Sequence, residues 1–302
     1  MCGIVGLLLK KPAWDHRLGE LLVPMLCGMT DRGPDSAGLA VYASATAAAL
    51  KLSLFQLHGQ PDWAGFMRRL AQAVPGEHGL HESGHHAVLT TRGDAAAVRH
   101  HIDASAPGIV LLSQGHRIEL YKDIGAPAAI AERYGFVKFA GSHAVGHTRM
   151  ATESAVTPDR AHPFTAGEDF CLVHNGSLSN PYRVRRKLEP LGIHFETDND
   201  TEAACRFLEW RMREGDSIEA AIEKGFTELD GFFTFLIGTS NGISLVRDPF
   251  ACKPAIVAET DDYVAVASEF RSLAHLPGVS SAKLFEPQPR TIYHWERQHA
   301  VT

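Results

Sequence analysis

The chain opens on an apolar run with almost no polar lead-in: Cys2-Gly3 is followed at once by Ile4-Val5 and Leu7-Leu8-Leu9, and the first charges are Lys10-Lys11. A run of this length bounded by charge reads as a short buried strand over residues 1–9, so the chain begins inside its own fold. Lysines that follow an apolar stretch instead of preceding it are in the wrong order for a signal peptide. No stretch approaches the roughly 18 apolar residues of a membrane span.

Further along, residues 18–29 carry apolar side chains at near-helical spacing and end in the polar turn Thr30-Asp31-Arg32-Gly33-Pro34-Asp35. A strand is expected over 38–43. The segment of about 43–141 is less typical: Pro61 opens a helix with Trp63, Phe66, Met67 and Leu70 on one face, and 109–113 with 118–121 reads as a hairpin. Beyond Gly141 the signals predict strands at 144–148 and 170–174, and helices after Pro181 and over 200–214. Ser240-Asn241-Gly242 predicts a tight turn between strands at 232–238 and 243–248, and a further strand pair is expected at 255–259 and 263–268. Hairpin-joined strands with helices gathered in runs predict the α+β class, with antiparallel sheets and helices on their outer faces. One domain over 1–302 is expected, without repeats, linkers or low-complexity tracts.

Composition narrows the function classes. A net charge of −6 leaves no basic excess for nucleic acid or anionic membranes and favours a small-molecule partner. Five scattered cysteines without a CxxC pair argue against a disulfide framework or structural zinc and place the chain in the reducing cytoplasm. His85-His86 and His100-His101 invite a metal reading, but neither pair has helical i, i+4 spacing or a nearby cysteine, so no metal site is expected.

Cys2 is the residue with distinctive chemistry. Removal of Met1 leaves its thiol and a free α-amine on one residue, and that amine can take the thiol's proton near neutral pH. Gly3 beside it would let a substrate approach the backbone. Taken alone, Cys2 reads more readily as an incidental residue on a buried strand. Gly146-His147-Thr148-Arg149-Met150-Ala151-Thr152 ends a strand in a polar turn, where the Arg149 fork could clamp a carboxylate or simply be exposed. His174-Asn175-Gly176 offers an amide side chain and an open backbone N–H, the two donors of an oxyanion hole, although Asn-Gly is also an ordinary turn. The acidic residues of Thr197-Asp198-Asn199-Asp200-Thr201-Glu202 suit a helix start, yet Asp200 could equally bind an ammonium. Together the parts make a site for an α-amino acid.

These motifs resemble, in order along the chain, those of the class II glutamine amidotransferases of the N-terminal nucleophile hydrolase superfamily: Cys2-Gly3-Ile4-Val5-Gly6, Arg32 to Gly38, Gly146 to Arg149 with Ala151-Thr152, His174-Asn175-Gly176, Asp200-Thr201-Glu202, Arg247-Asp248-Pro249 with Lys253-Pro254, and Ala267-Ser268-Glu269. The resemblance implies a four-layer αββα sandwich of two antiparallel sheets with a site at strand ends. It also implies attack of Cys2 on the glutamine carboxamide, loss of ammonia, and hydrolysis of the γ-glutamyl thioester. Cys2, Asn175 and Gly176 would be catalytic. Arg149, Met150, Thr152, Asp200 and Arg32 would bind substrate, with the turn from Arg149 to about Thr157 responding to glutamine. Two features depart from the family: Glu153 stands where many sugar-phosphate members have histidine, and the chain stops at Thr302 without a synthase domain.

Tyr121-Lys122-Asp123-Ile124-Gly125 is most similar to glutamate-synthase-type small subunits such as the amidotransferase-like subunit of N-methylglutamate synthase. That similarity implies synthase partner subunits carrying FMN and iron–sulfur clusters, with no cofactor in this chain. Two other readings stay open: a catalytically silent subunit that senses an amino acid or scaffolds the complex, and a free-standing hydrolase of another amide.

Overall fold

Residues 2–43, 49–106, 108–150 and 157–297 are described in the computed structural model of the chain. Its central sheet has seven strands in the order β15 (Lys283–Phe285), β13 (Ile256–Glu259), β14 (Tyr263–Ala267), β1 (Gly3–Leu9), β8 (His143–Arg149), β2 (Ser36–Tyr42) and β7 (Ile118–Ile124). A second sheet runs β16 (Ile292–Glu296), β12 (Gly242–Arg247), β11 (Gly231–Gly238), β10 (Cys171–Leu178), β9 (Phe164–Thr165). A third runs β4 (His78–Ser83), β5 (His86–Thr91), β3 (Leu50–Gln56), β6 (Ile109–Gly115). The described pairings are antiparallel.

The alternation of side chains along β1 explains the layering. Val5, Leu7 and Leu9 pack with Leu21, Leu22 and Met25 of α1 (Leu18–Cys27) and Ile130 of α4 (Pro127–Arg133). Ile4 and Leu8 point the other way, into Val173, Leu236 and Leu245 of the second sheet. That sheet's outer face, with Leu172, Phe233 and Phe235, packs with Val184 of α5 (Pro181–Leu188), Phe207 of α6 (Asp200–Arg213) and Ile222 of α7 (Ile218–Glu228). Helix, sheet, sheet, helix is the four-layer sandwich that the family resemblance implies. Because β1 is buried on both faces, it reads as an unbroken apolar run instead of an alternating one. Gly6 marks the close approach of the sheets, since a Cβ there would lie 2.7 Å from Leu236 Cδ2.

The segment of about 43–141 divides between two layers. Residues 50–115 form the third sheet with α2 (Trp63–Ala73) and α3 (Ala95–Ser105), around their own core of Leu52, Leu54, Phe66, Leu70 and Ile102. β7 and α4 then rejoin the central sheet. Helix α2 starts at Trp63, not Pro61, because the Asp62 carboxylate caps it by accepting the Gly65 N–H at 2.8 Å. The hairpin expected over 109–121 is not formed: β6 pairs with β3 and β7 with β2. The cause is Asp169, whose carboxylate accepts the N–H groups of His116, Arg117 and Ile118 at 3.0, 2.8 and 2.9 Å and turns the chain from one sheet to another. No described helix is long and apolar enough to cross a membrane.

Candidate active site

Strand register brings the first motifs together. Gly3 pairs with Thr148, so one step further along each strand sets Arg149 opposite Cys2. Ser36 of β2 also pairs with Arg149. Gly3 is required by packing: a Cβ would lie 2.8 Å from Met29 Cβ and 2.9 Å from Thr148 Oγ1. The space that the sequence suggests for substrate beside Gly3 is therefore filled by protein.

Residues 2–4 are gripped from two sides. Arg32 Nε donates to the Cys2 carbonyl at 3.0 Å, and its Nη1 donates to Glu269 Oε1 at 2.8 Å. The Ile4 N–H donates to Ser268 Oγ at 3.0 Å, while the Ser268 N–H donates to the Ile4 carbonyl at 3.0 Å. Arg32, expected among substrate-binding residues, is thus buried against the backbone of Cys2. Ser268 and Glu269 lie in a motif visible in the sequence, but their partners are 264 and 237 positions away, beyond the reach of local pattern.

His147, one residue pair inward on β8, carries the link to the second sheet. Its Nε2 donates to the His174 carbonyl at 3.1 Å, which ties β8 to β10 immediately before Asn175. Asn175 is buried, and its Nδ2 has no hydrogen-bond partner among the described residues. A buried donor left unpaired costs about 1–3 kcal/mol, so this amide is held ready for an acceptor that arrives from outside. Gly176 has φ +148°, and a Cβ there would overlap the Phe232 carbonyl oxygen, so only glycine fits.

The acidic cluster before α6 divides its work. Asn199 caps the helix by accepting the Thr201 N–H at 2.8 Å. The Glu202 carboxylate folds back to accept the N–H groups of Glu196 and Thr197 at 2.8 Å each and pairs with Arg206 at 2.8 Å. Asp198 pairs with Arg160 at 3.0 Å. Asp200 is the member turned toward β10: its Oδ2 accepts the Leu178 N–H at 2.8 Å and lies 3.8 Å from His174 Nδ1, with the side chain a quarter exposed. It stands by the end of β10 with room for a ligand contact.

Behind these residues lies a buried cluster that the sequence did not announce. The His147 and His162 rings stack at 4.1 Å, and Thr201 Oγ1 meets His162 Nε2 at 2.8 Å and His174 Nδ1 at 3.1 Å. Burial pushes His147 down to about 3 and lowers His162 and His174 too, so all three are neutral imidazoles. Protonated on those two nitrogens, His162 and His174 both donate to Thr201, whose own proton is then free for Asp200 Oδ1 at 3.4 Å.

Met150 is 36% exposed at the end of the described strand. Thr152 and most of the turn from Arg149 to Thr157 lie outside the described residues. Among the described residues, no group of three or more His, Cys, Asp or Glu could hold a metal. The five cysteines are free thiols.

A family model described as a glutamine amidotransferase domain matches residues 147–275, the stretch that carries Arg149, Asn175, Gly176 and Asp200. The chain is 48% identical to the glutamine amidotransferase-like protein GlxB of Rhizobium meliloti, over 100% of both chains. It is 32% identical to a putative glutamine amidotransferase of Methanothermobacter thermautotrophicus, over 97% of this chain and 99% of the relative. Among solved structures, the allosteric regulatory enzyme of purine biosynthesis aligns over 98% of this chain with a TM-score of 0.63 and 19% identity. The glutamine phosphoribosylpyrophosphate amidotransferase of B. subtilis aligns over 98% with a TM-score of 0.61 and 18% identity. The chain spans about half the length of these two solved proteins, 47% and 49%.

Proposed function

Because the chain belongs to the class II glutamine amidotransferases, with the N-terminal nucleophile hydrolase fold, we propose that it hydrolyses glutamine at Cys2 and passes the nitrogen to a separate synthase subunit. The observation that carries this reading is the buried, unpartnered Asn175 amide beside Gly176.

In the proposed reaction, removal of Met1 frees the α-amine of Cys2, which takes the thiol proton. The thiolate attacks the side-chain carbonyl carbon of glutamine, and the negative oxygen is held by Asn175 Nδ2 and the Gly176 N–H. The amine returns the proton to the leaving nitrogen, so ammonia departs and a γ-glutamyl thioester remains. Water, deprotonated by the same amine, then attacks the thioester, releases glutamate and restores the thiol. Arg149 takes the α-carboxylate and Asp200 the α-ammonium, while Arg32, through the Cys2 carbonyl, sets the nucleophile in place.

Two relatives matched over 99–100% of their own length are named as a glutamine amidotransferase-like protein and a putative glutamine amidotransferase, which supports the glutamine-directed reading. On this reading the acceptor is a glutamate-synthase-like or N-methylglutamate-synthase-like subunit, and FMN and iron–sulfur chemistry belong to it. The free thiols suit the reducing cytoplasm.

The test is the intact mass of the purified chain before and after incubation with a glutamine-like diazo-ketone, alone and with its partners. Loss of the Met1 mass and one adduct at Cys2, absent in Cys2→Ala, is the expected result. Retained Met1, or a processed chain that takes no label, overturns the hydrolytic reading and favours a silent amino-acid-sensing subunit.

A further inference from the structure

We propose that Lys122 is a positioning residue for amino-acid binding, holding residues 159–163 so that the Arg149 guanidinium meets the ligand's α-carboxylate. The inference rests on the reading of Arg149 as the carboxylate clamp.

Lys122 stands on β7 opposite Gly38, with its side chain buried in the core. Its Nζ donates to the carbonyls of Asp159 at 3.0 Å and Ala161 at 2.9 Å, and more distantly to Pro163 at 3.4 Å. The carbonyl between the first two, that of Arg160, accepts from Arg149 Nη1 at 3.3 Å. Two cations thus hold alternate carbonyls of one stretch of backbone, Lys122 taking 159 and 161 and Arg149 taking 160.

The same stretch reaches the ammonium side of the site. The Arg160 guanidinium pairs with Asp198, and the His162 ring stacks on His147 and bonds Thr201, the neighbour of Asp200. Residues 159–163 therefore connect both halves of the proposed amino-acid clamp, and Lys122 fastens them to the central sheet.

A buried ammonium is a costly choice for a mere packing role. Burial lowers Lys122 to about 8, and no carboxylate forms an ion pair with it among the described residues. An apolar side chain of similar volume would suit the core at lower cost, but it could not bind several carbonyls from one point. The Phe164 ring lies 4.9 Å from the ammonium. Lys122, Asp159, Phe164 and Thr165 also line a cavity of about 760 Å³ to which Cys2, Arg149 and Asn175 do not contribute.

Equilibrium binding tests this without turnover. In the Cys2→Ala chain, calorimetry compares L-glutamine with 4-aminobutanamide, which keeps the amine and the amide and lacks the carboxylate. Adding Lys122→Ala is expected to cut the preference for glutamine by about 10- to 100-fold, the size of one charge-assisted hydrogen bond, with the analogue's affinity little changed. Propylammonium supplies the missing atoms through the cavity and is expected to restore the preference. An equal loss for both ligands, an unchanged preference, or a loss that propylammonium leaves unrepaired overturns the proposal. Should Lys122→Ala fail to fold, Lys122→Gln is neutral and one atom too short to reach the carbonyls, and an unchanged preference in that folded variant overturns it equally. No preference for glutamine in the chain that retains Lys122 overturns the Arg149 reading itself. Binding with normal preference but without hydrolysis in the Cys2-containing chain overturns only the hydrolytic reading.

Discussion

At the edge of the sandwich that carries Cys2, polar side chains are held by partners from distant sequence, whereas the helices and outer hairpin of the third sheet keep several polar contacts local. Arg32 reaches Cys2, Ser268 reaches Ile4, and Thr201 meets His162 and His174. In the third sheet, Asp62 caps its own helix, Asp94 caps the next at Ala97, His78 meets Thr91 and Arg92 pairs with Glu77. Long-range contacts can fix a ligand site to a fraction of an ångström because each is over-determined by two elements. Local contacts stabilise only the element that makes them. The sandwich edge should therefore lose function when altered, and the third sheet only stability.

The sharpest separation is expected at Asn175. Asn175→Ala removes one oxyanion donor and should lower kcat for glutamine about 10²- to 10³-fold with KM little changed. Thermal stability should hold, because the Asn175 Nδ2 has no hydrogen-bond partner among the described residues. A parallel collapse of melting temperature would show the amide to be structural.

Next in size is a matched pair of core truncations. Leu8 sits between the two main sheets and Leu52 in the core of the third, both fully buried. Each Leu→Ala should cost about 2–5 kcal/mol in urea unfolding. Leu8→Ala is expected to weaken glutamine binding as well, since its strand leads to Cys2. Equal loss of binding in Leu52→Ala would erase the distinction between the regions.

The same distinction governed what could be read in advance. Cys2, Arg149 and Asp200 stand at the ends of elements whose periodicity is plain, and Asn175 and Gly176 lie within β10, so motif and element agree. Arg32 was visible too, but its contact with the Cys2 carbonyl is a tertiary fact. Lys122 and Thr201 lie in motifs visible in the sequence and His162 in none, but the contacts of all three form only where distant segments pack together. In the third sheet the difficulty was one of pattern: β4 lies at an edge with every residue partly or fully exposed, so it lacks a buried run. The false hairpin at 109–121 came from two apolar runs with a turn between them. Only Asp169, about fifty residues later, decides that they part.

Acid should strike the sandwich before the third sheet. Burial holds His143 and His147 at about 3 and lowers His162 and His174, against an unfolded value near 6.5. A depressed histidine means that the unfolded chain takes up protons first, so the stability it confers is complete above about pH 6.5 and falls as pH drops toward 3. In the third sheet burial lowers His86 to about 4, and it also lowers His101 on α3. Melting curves between pH 7 and pH 5 should show loss of bound glutamine with the first unfolding signal. His147→Asn should flatten that dependence, while His86→Asn should change it less.

The smallest expected effect closes the comparison from the other side. Asp62→Ala removes the cap of α2, whose carboxylate accepts the Gly65 N–H. Its partner Arg69 is 3.8 Å away and both side chains are well exposed, so that ion pair contributes little. The expected cost is about 1 kcal/mol, read as a small shift of the urea midpoint, with glutamine affinity and Cys2 labelling unchanged. Helix α2 packs through Trp63, Phe66 and Leu70 onto the third sheet's own core, and no contact of that cluster belongs to Cys2, Asn175 or Asp200. A change in glutamine affinity after so local a substitution would mean that the third sheet communicates with the site, through contacts such as the Thr165 hydroxyl on the Leu112 carbonyl and the His86 ring on the Lys122 carbonyl, which lead to the segment that Lys122 holds.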